Sequence, residues 1–423
     1  MTSIKQLNNS TMQKDHKIAF ALLLIFTILV YLRPQDHFTF LVPLRLPLFT
    51  SVSALILLFF SSSQKQIMGF VSGREIKTFF LLTIVVLIAI PFSVWPGGTT
   101  RFVYETYIRL IILYFLIVTT VNSINRLKVL IGLVVILSVF LALDAAYKYI
   151  IGDFTRGRVY GMGSGLFSDP NDLALGLVMA MPFSFYICVS QRKVWKKFIF
   201  GALFFIILYA TITTYSRAGF LGIIVVGSLI FWDLLKRKKT IILMVVMSCI
   251  FIVYAIAPPG YTDRIYTIFY TDEDRTGSAQ ERLFILETGW EAFKQRPLLG
   301  AGLSSFEVMY YEISKESGGW KASHNTYLQV LVETGILGFS LFILLIYYGF
   351  NNLNIVRKTL VKNGSDVENL SFYAEAARVS FCGFLIVAFF LSQAWTLHLY
   401  YLLGYTKTME RLASEKISLK NVK

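Results

Sequence analysis

The sequence predicts an all-α polytopic membrane protein of about twelve spans with one large, partly helical extracytoplasmic loop. Three observations carry this. First, 56% of the 423 residues are hydrophobic and 15% are charged, against about 25% charged in a soluble domain. Second, the apolar residues fall into runs of about 15 to 25, the length that crosses a bilayer core as a helix. Third, one stretch, 258–325, breaks the pattern with ten acidic and seven basic residues, a net −3 in a chain that carries +15. A barrel strand would alternate polar and apolar residues. The unbroken run from Ile84 to Ile90 does not alternate. Residues 1–423 therefore read as one integral membrane domain, with the loop 258–325 inserted between spans nine and ten.

Taken in order, Lys5, Lys14 and Lys17 precede the first span, about 18–32, and place the N-terminus in the cytoplasm. That span lacks a small-residue cleavage site and is expected to stay in the protein. The second, about 40–60, is broken by Pro43 and Pro47 and carries Arg45. Broken, charged helix at membrane depth is tolerated only against protein or water, so Arg45 either snorkels outward or faces a cavity. The third, 78–94, ends outside at Trp95-Pro96. The fourth, about 102–121, holds Glu105 and Arg109 at i,i+4. That spacing is expected to pair them, with a substrate contact as the alternative. The fifth ends near Ile150.

An outside segment then runs from Arg156 to Asp172. Its glycines precede no Gly-Lys-Ser/Thr and follow no strand, which argues against a nucleotide loop. Ser168 or Asp169 before Pro170 reads as the cap and first turn of the sixth span. The seventh and eighth spans, about 198–214 and 220–235, abut at Thr213–Gly219. Lys236-Arg237-Lys238-Lys239 is the strongest cytoplasmic mark, and the ninth span ends at Pro258-Pro259. The tenth runs about 327–348. The last apolar block, 372–405, is divided near Gln393-Ala394-Trp395 into two spans, leaving the C-terminus inside. The basic residues sit in short segments between spans, so the net charge orients the protein and does not mark nucleic-acid binding. Cys188, Cys249 and Cys382 are isolated in apolar stretches and read as packing residues.

Within the long loop, Ser278 and Glu281 form a capping box. A helix is expected from there to Gln295, before Pro297. Leu283, Leu286, Trp290 and Phe293 form a stripe expected to pack it onto the membrane domain. Arg282, near the helix start, opposes the helix dipole. It fits better if an anion binds there; a solvated Arg paired with a neighbouring Glu is the plainer reading. His324 lies just before the tenth span. A helix N-terminus favours the neutral imidazole, the form a general base needs. An interfacial His bonded to the loop is the alternative. Arg217, at the junction of two spans, needs a partner or a watery cavity, or it snorkels. Four scattered histidines and no His/Cys/Asp cluster argue against a metal site.

Together these pieces resemble the O-antigen ligase and polymerase superfamily. Ser216-Arg217-Ala218-Gly219 is similar to its Ser-Arg-Gly/Ala-Gly motif. Glu281-Arg282 through Trp290, then Pro297-Leu298-Leu299-Gly300-Ala301-Gly302, is similar to its loop helix and Pro-x-x-Gly-x-Gly turn. His324-Asn325-Thr326-Tyr327-Leu328, then Glu333-Thr334-Gly335, resembles its His-Asn-x-Tyr/Phe-Leu signature and the span that follows. The stretch Gly161–Ala174 most resembles ligase-like members, including O-glycosylation ligases. The resemblance is specific from about Asp169 to Gly338.

The resemblance implies a GT-C glycosyltransferase of the bacterial cytoplasmic (inner) membrane. It would move a glycan from undecaprenyl diphosphate to the hydroxyl of a lipid, glycan or protein acceptor on the outer face, with no cofactor, no metal and no nucleic acid. It assigns His324 as the base and Arg217 and Arg282 to the diphosphate. Asn325, Asp169, Asn171 and Ser216 are expected to support them. Without a metal, Arg is the best side chain for phosphate oxygens. The competing readings are a polysaccharide polymerase, a protein O-oligosaccharyltransferase and a polyprenyl-glycan transporter. A transporter should string charges through several spans and show repeats. Here the unusual residues gather at one predicted face.

Overall fold

The computed structural model describes residues 2–61, 73–155, 157–163, 165–236, 278–315, 320–362 and 369–421. The described chain is helical, and the protein is a multi-pass membrane protein: among the described residues nine helices are long and apolar enough to cross a membrane. A shorter apolar helix covers His16–Leu32. The expected ninth span, Cys249 and the loop's start at Pro258 lie outside the described residues.

Contacts group the chain into two units. The first holds 1–130, 285–368 and 393–423. Its helices are α1 (Thr2–Leu32), α2 (Leu46–Ser61), α3 (Arg74–Ala89), α4 (Pro96–Phe102) and α5 (Ile108–Thr120), then, beyond the second unit's elements, most of α10 (Ser278–Gln295), α11 (Phe306–Ser314), α12 (Thr326–Lys362) and α14 (Leu397–Asn421). Here α1 packs on α2, α3 on α12, and α14 on both α5 and α12. At one end of this group a charged clasp joins three helices. Lys407 lies 3.3 Å from buried Glu75 and 3.0 Å from Glu410. Arg74 donates to Asn352 Oδ1 at 2.9 Å and lies over the Tyr348 ring.

The second unit holds 131–284 and 369–392. It comprises most of α6 (Ile124–Ile151), α7 (Pro170–Ser190), α8 (Val194–Thr213), α9 (Arg217–Lys236), the start of α10, and α13 (Leu370–Ala388). The centre is α7, packed by α8, α9 and α13 and buried along most of its length. Gly222 of α9 and Gly383 of α13 let backbones approach Val178 closely, as small residues do between membrane helices. Ser380 Oγ donates to Met179 O across the α13–α7 contact at 2.8 Å.

Several expectations hold. The second span breaks at Arg45, where a 3-10 segment, Thr39–Leu44, ends and α2 begins. The last apolar block divides between Ala388 and Leu397. The loop helix runs from Ser278 to Gln295. Two expectations are corrected. Glu105 pairs with Arg101 at 3.1 Å and not with Arg109. The carboxylate has an equally spaced partner on its other side: Arg101 precedes Glu105 by four positions as Arg109 follows it, and Glu105 takes Arg101. The loop helix also buries a different face. Leu283, Leu286 and Trp290 are exposed, while Ile285, Thr288, Gly289 and Ala292 are buried. Small residues decide this, because Gly289 leaves room only for Leu328 and Phe306 to close against the backbone.

The longest helix, α12, is interrupted at Gly335 (φ 62°, ψ −171°). In an unbroken helix Ile336 N–H would bond Val332 O, and Leu337 N–H would bond Glu333 O. Instead Ile336 and Leu337 donate to Pro297 O (2.8 Å) and Leu298 O (3.4 Å), while Val332 O and Glu333 O accept from Ala301 N (2.8 Å) and Gly302 N (2.9 Å). All four displaced groups are taken by one turn. A Cβ on Gly335 would strike Leu298 O and strain the backbone. Gly335→Ala is therefore expected to destabilise the protein by about 3 kcal/mol. The check is the thermal unfolding midpoint in detergent; an unchanged midpoint would disprove the interlock.

Candidate functional site

In the first unit the loop builds its own small core. Ile285, Ala292, Phe306, Met309 and Tyr310 bury against Leu328 and Val332 of α12. The turn 296–303 is also tied to the start of α4. Ser93 Oγ donates to Ala301 O at 2.7 Å, Val94 N to the same carbonyl at 2.9 Å, and Thr99 Oγ1 to Leu303 O at 3.0 Å. Arg296 donates to Phe92 O. Glu333 is buried beside this turn. Its carboxylate accepts from Trp395 Nε1 at 2.6 Å and is hydrogen-bonded by the backbone of Ser304 and Phe306.

This framework carries His324 to the start of α12. Asn325 caps the helix: its Oδ1 accepts from Leu328 N at 2.9 Å, as capping residues do. Ser323 Oγ donates to Asn325 O at 3.0 Å, and Thr326 Oγ1 accepts from Gln393 N at 2.9 Å. Ser323, Asn325 and Thr326 are buried; His324 between them is exposed. It has φ 45°, in the left-handed region, where a non-glycine residue is held at a cost and strained residues cluster at functional sites. Upstream, Trp320 meets Trp95 edge-on, with ring centroids 5.9 Å apart.

In the second unit the junction of α8 and α9 meets the start of α7. Asp169 caps α7, its Oδ1 accepting from Asn171 N at 2.7 Å ahead of Pro170. Ser216 caps α9, its Oγ accepting from Gly219 N at 3.1 Å. The two caps are joined because Ser216 Oγ donates to Asn171 Oδ1 at 2.8 Å. The same oxygen accepts from Arg158 Nη2 at 2.9 Å, and Arg158 Nε donates to Thr214 O at 3.2 Å. Arg217 is the first residue of α9 and is half-buried. Arg282, also half-buried, lies in the opening turns of α10, in the portion that groups with this unit.

The structure thus brings Asp169, Asn171 and Ser216 into one network beside Arg217. His324 and Asn325 belong to the first unit. Sequence reasoning missed Arg158 as a member of the network, and missed Trp395 as the partner of Glu333. The Arg156-Gly157-Arg158 run was visible, but nothing in it pointed to residues 13 and 56 positions away.

Residues 202–343 match the family model described as O-antigen ligase. Over that segment, about a third of the chain, it is similar to the O-antigen ligase family. The matched segment takes in Arg217, Arg282, His324 and both halves of the α12 interlock. It begins beyond Arg158, Asp169 and Asn171. The chain is also 27% identical over 186 residues to a Haemophilus influenzae protein described as uncharacterized, a match covering 38% of this chain and 46% of that protein. The chain thus spans about half the length of that curated relative.

Asn325 has a local task that is separable from any chemistry. Asn325→Ala should lower stability by about 1 kcal/mol, and Asn325→Asp should restore it, since Asp caps as well as Asn. Unfolding midpoints of the two variants check this. An Asp variant as unstable as Ala would exclude the capping role.

Proposed function

We propose that this protein is a membrane glycosyltransferase of the GT-C type, taking a glycan from undecaprenyl diphosphate and passing it to an acceptor hydroxyl at the outer face of the bacterial cytoplasmic membrane. The observation that carries the reading is His324: exposed, left-handed and fixed between two buried residues at the start of α12. Its place within the segment matching the ligase family supports it. In this reading the neutral imidazole accepts the acceptor's hydroxyl proton. The acceptor oxygen forms a bond to the anomeric carbon while the bond from that carbon to the diphosphate oxygen breaks. The electron pair leaves with the diphosphate. Arg217 and Arg282 offset its charge, acting as preorganised donors where charge develops. Guanidinium forks suit phosphate oxygens better than the point charge of Lys.

Two experiments test this with purified protein, lipid-linked donor and lipid, glycan or protein acceptors. His324→Ala should lower the transfer rate by roughly 100- to 10,000-fold while donor binding persists. The native rate should fall as pH drops through the imidazole titration, because a protonated ring cannot take a proton. His37→Ala is the control, since His37 is exposed on a separate helical turn; His398 is buried, so its removal would also disturb packing. Near-native transfer by His324→Ala at saturating donor would end the base assignment. In the second experiment Arg217 and Arg282 are each changed to Lys and to Ala. Partial transfer is expected with Lys and little with Ala. Wild-type rates in both Ala variants would remove these residues from the mechanism.

A further inference from the structure

A separate concentration of positive charge lies in the first unit, outside the residues used above. Arg101, Glu105 and Arg109 follow one another along the path from α4 through the π-helical segment into α5. Arg45 stands at the head of α2, which packs on α5. The group holds three guanidinium groups and one carboxylate. Glu105 is already engaged by Arg101 at 3.1 Å. Arg109 is half-buried, and its Nε is buried without a hydrogen-bond partner among the described residues. Leaving such a donor unsatisfied costs about 1–3 kcal/mol, more for a charged group. Arg109 lies within electrostatic reach of Glu105 and, more weakly, of the like charge on Arg45.

The backbone is irregular on both sides of the cluster. Arg45 sits at φ 41°, in the left-handed region, and the segment 103–107 is π-helical. Both features are uncommon and gather at ligand sites. Depth matters as well. Arg109 lies within a helix run apolar enough to span a membrane. Ionisable residues in such a place mark functional sites. The neighbouring surface is apolar and open: Val42, Leu44, Tyr104 and Ile108 are all exposed. An anion held here would have room beside it for hydrocarbon.

We propose that Arg45, Arg101 and Arg109 form a site for the phosphate headgroup of a membrane lipid, whose chains lie along the exposed apolar surface of Leu44, Tyr104 and Ile108. The phosphate oxygens give Arg109 the acceptor it lacks and separate it electrically from Arg45. Glu105 holds the Arg101 fork in place. This site stands independently of the glycosyl-transfer reading.

The test is lipid retention by the purified full chain, read by native mass spectrometry and by unfolding midpoint. The probes are phosphatidic acid, phosphatidylcholine with the same chains, and inorganic phosphate. Phosphatidic acid is expected to stay bound and raise the midpoint, with phosphatidylcholine and inorganic phosphate doing neither. Arg109→Gln and Arg45→Gln should each weaken retention about tenfold or more, the loss of one charged hydrogen bond. Arg357→Gln, which removes an exposed charge from α12, should leave it unchanged. Arg109→Lys keeps the charge and should lose less than Gln. Equal retention by the Arg45→Gln/Arg109→Gln double variant would overturn the proposal. So would displacement of the lipid by inorganic phosphate, which would mark a soluble-anion site. Equal losses in Lys and Gln with a lowered midpoint in lipid-free detergent would mark packing, and would overturn it too.

Discussion

The first unit depends on a hydrogen-bond exchange. Breaking α12 at Gly335 strands two carbonyls and two N–H groups, and the Pro297–Gly302 turn takes all four. Buried backbone groups are almost never left unpaired, so the break and the turn require each other. Everything around them follows from that requirement. The turn brings α10 and α11 down onto α12, where Gly289 admits Leu328. The same turn reaches Ser93 and Thr99, tying the loop to a third part of the chain. His324 is thereby mounted on a braced support and not at the tip of a free loop.

Helix starts recur at the residues singled out for function. Asp169, Ser216 and Asn325 each cap a helix, and Arg217 follows its cap directly. Each such terminus presents partial positive charge from unbonded N–H groups. A side chain that caps a helix also has its rotamer fixed. The α8–α9 junction uses this twice, since Asn171 Oδ1 accepts from both the Ser216 cap and the Arg158 fork.

How much of this was legible varies with the range of the interaction. Local signals read well. Pro43 and Pro47 announced the break at Arg45, and Ser278 and Pro297 bracketed the loop helix. Asp169-Pro170 announced the start of α7. Its network partner Arg158 was not legible, because pairing across a fold leaves no mark on either neighbourhood. The stripe on α10 misled because hydrophobicity was taken as the measure of burial. The helix instead turned its smallest residues inward, where close approach gains more contact than a larger side chain would. Glu105 and Arg109 misled because Arg101 offers the same carboxylate an equal i,i+4 spacing on the other side. The Gly335 break was visible only as a motif, since a glycine in an apolar run does not state what will fill the gap.

The α12 interlock also bears on how the chain is made. Synthesis runs from the N-terminus, so the Pro297–Gly302 turn emerges before Gly335. When the broken helix is threaded into place, the groups that complete it have already been translated, and the gap need not wait open. Glu333 is in the opposite position. One of its donors, Trp395 Nε1, lies 62 residues downstream, beyond α13 and just ahead of the last helix. A nascent chain stalled or truncated before Trp395 would hold the mended helix but leave this carboxylate short of that donor. The hydrogen bonding of Glu333 is thus complete only once the stretch leading into the final helix has been made.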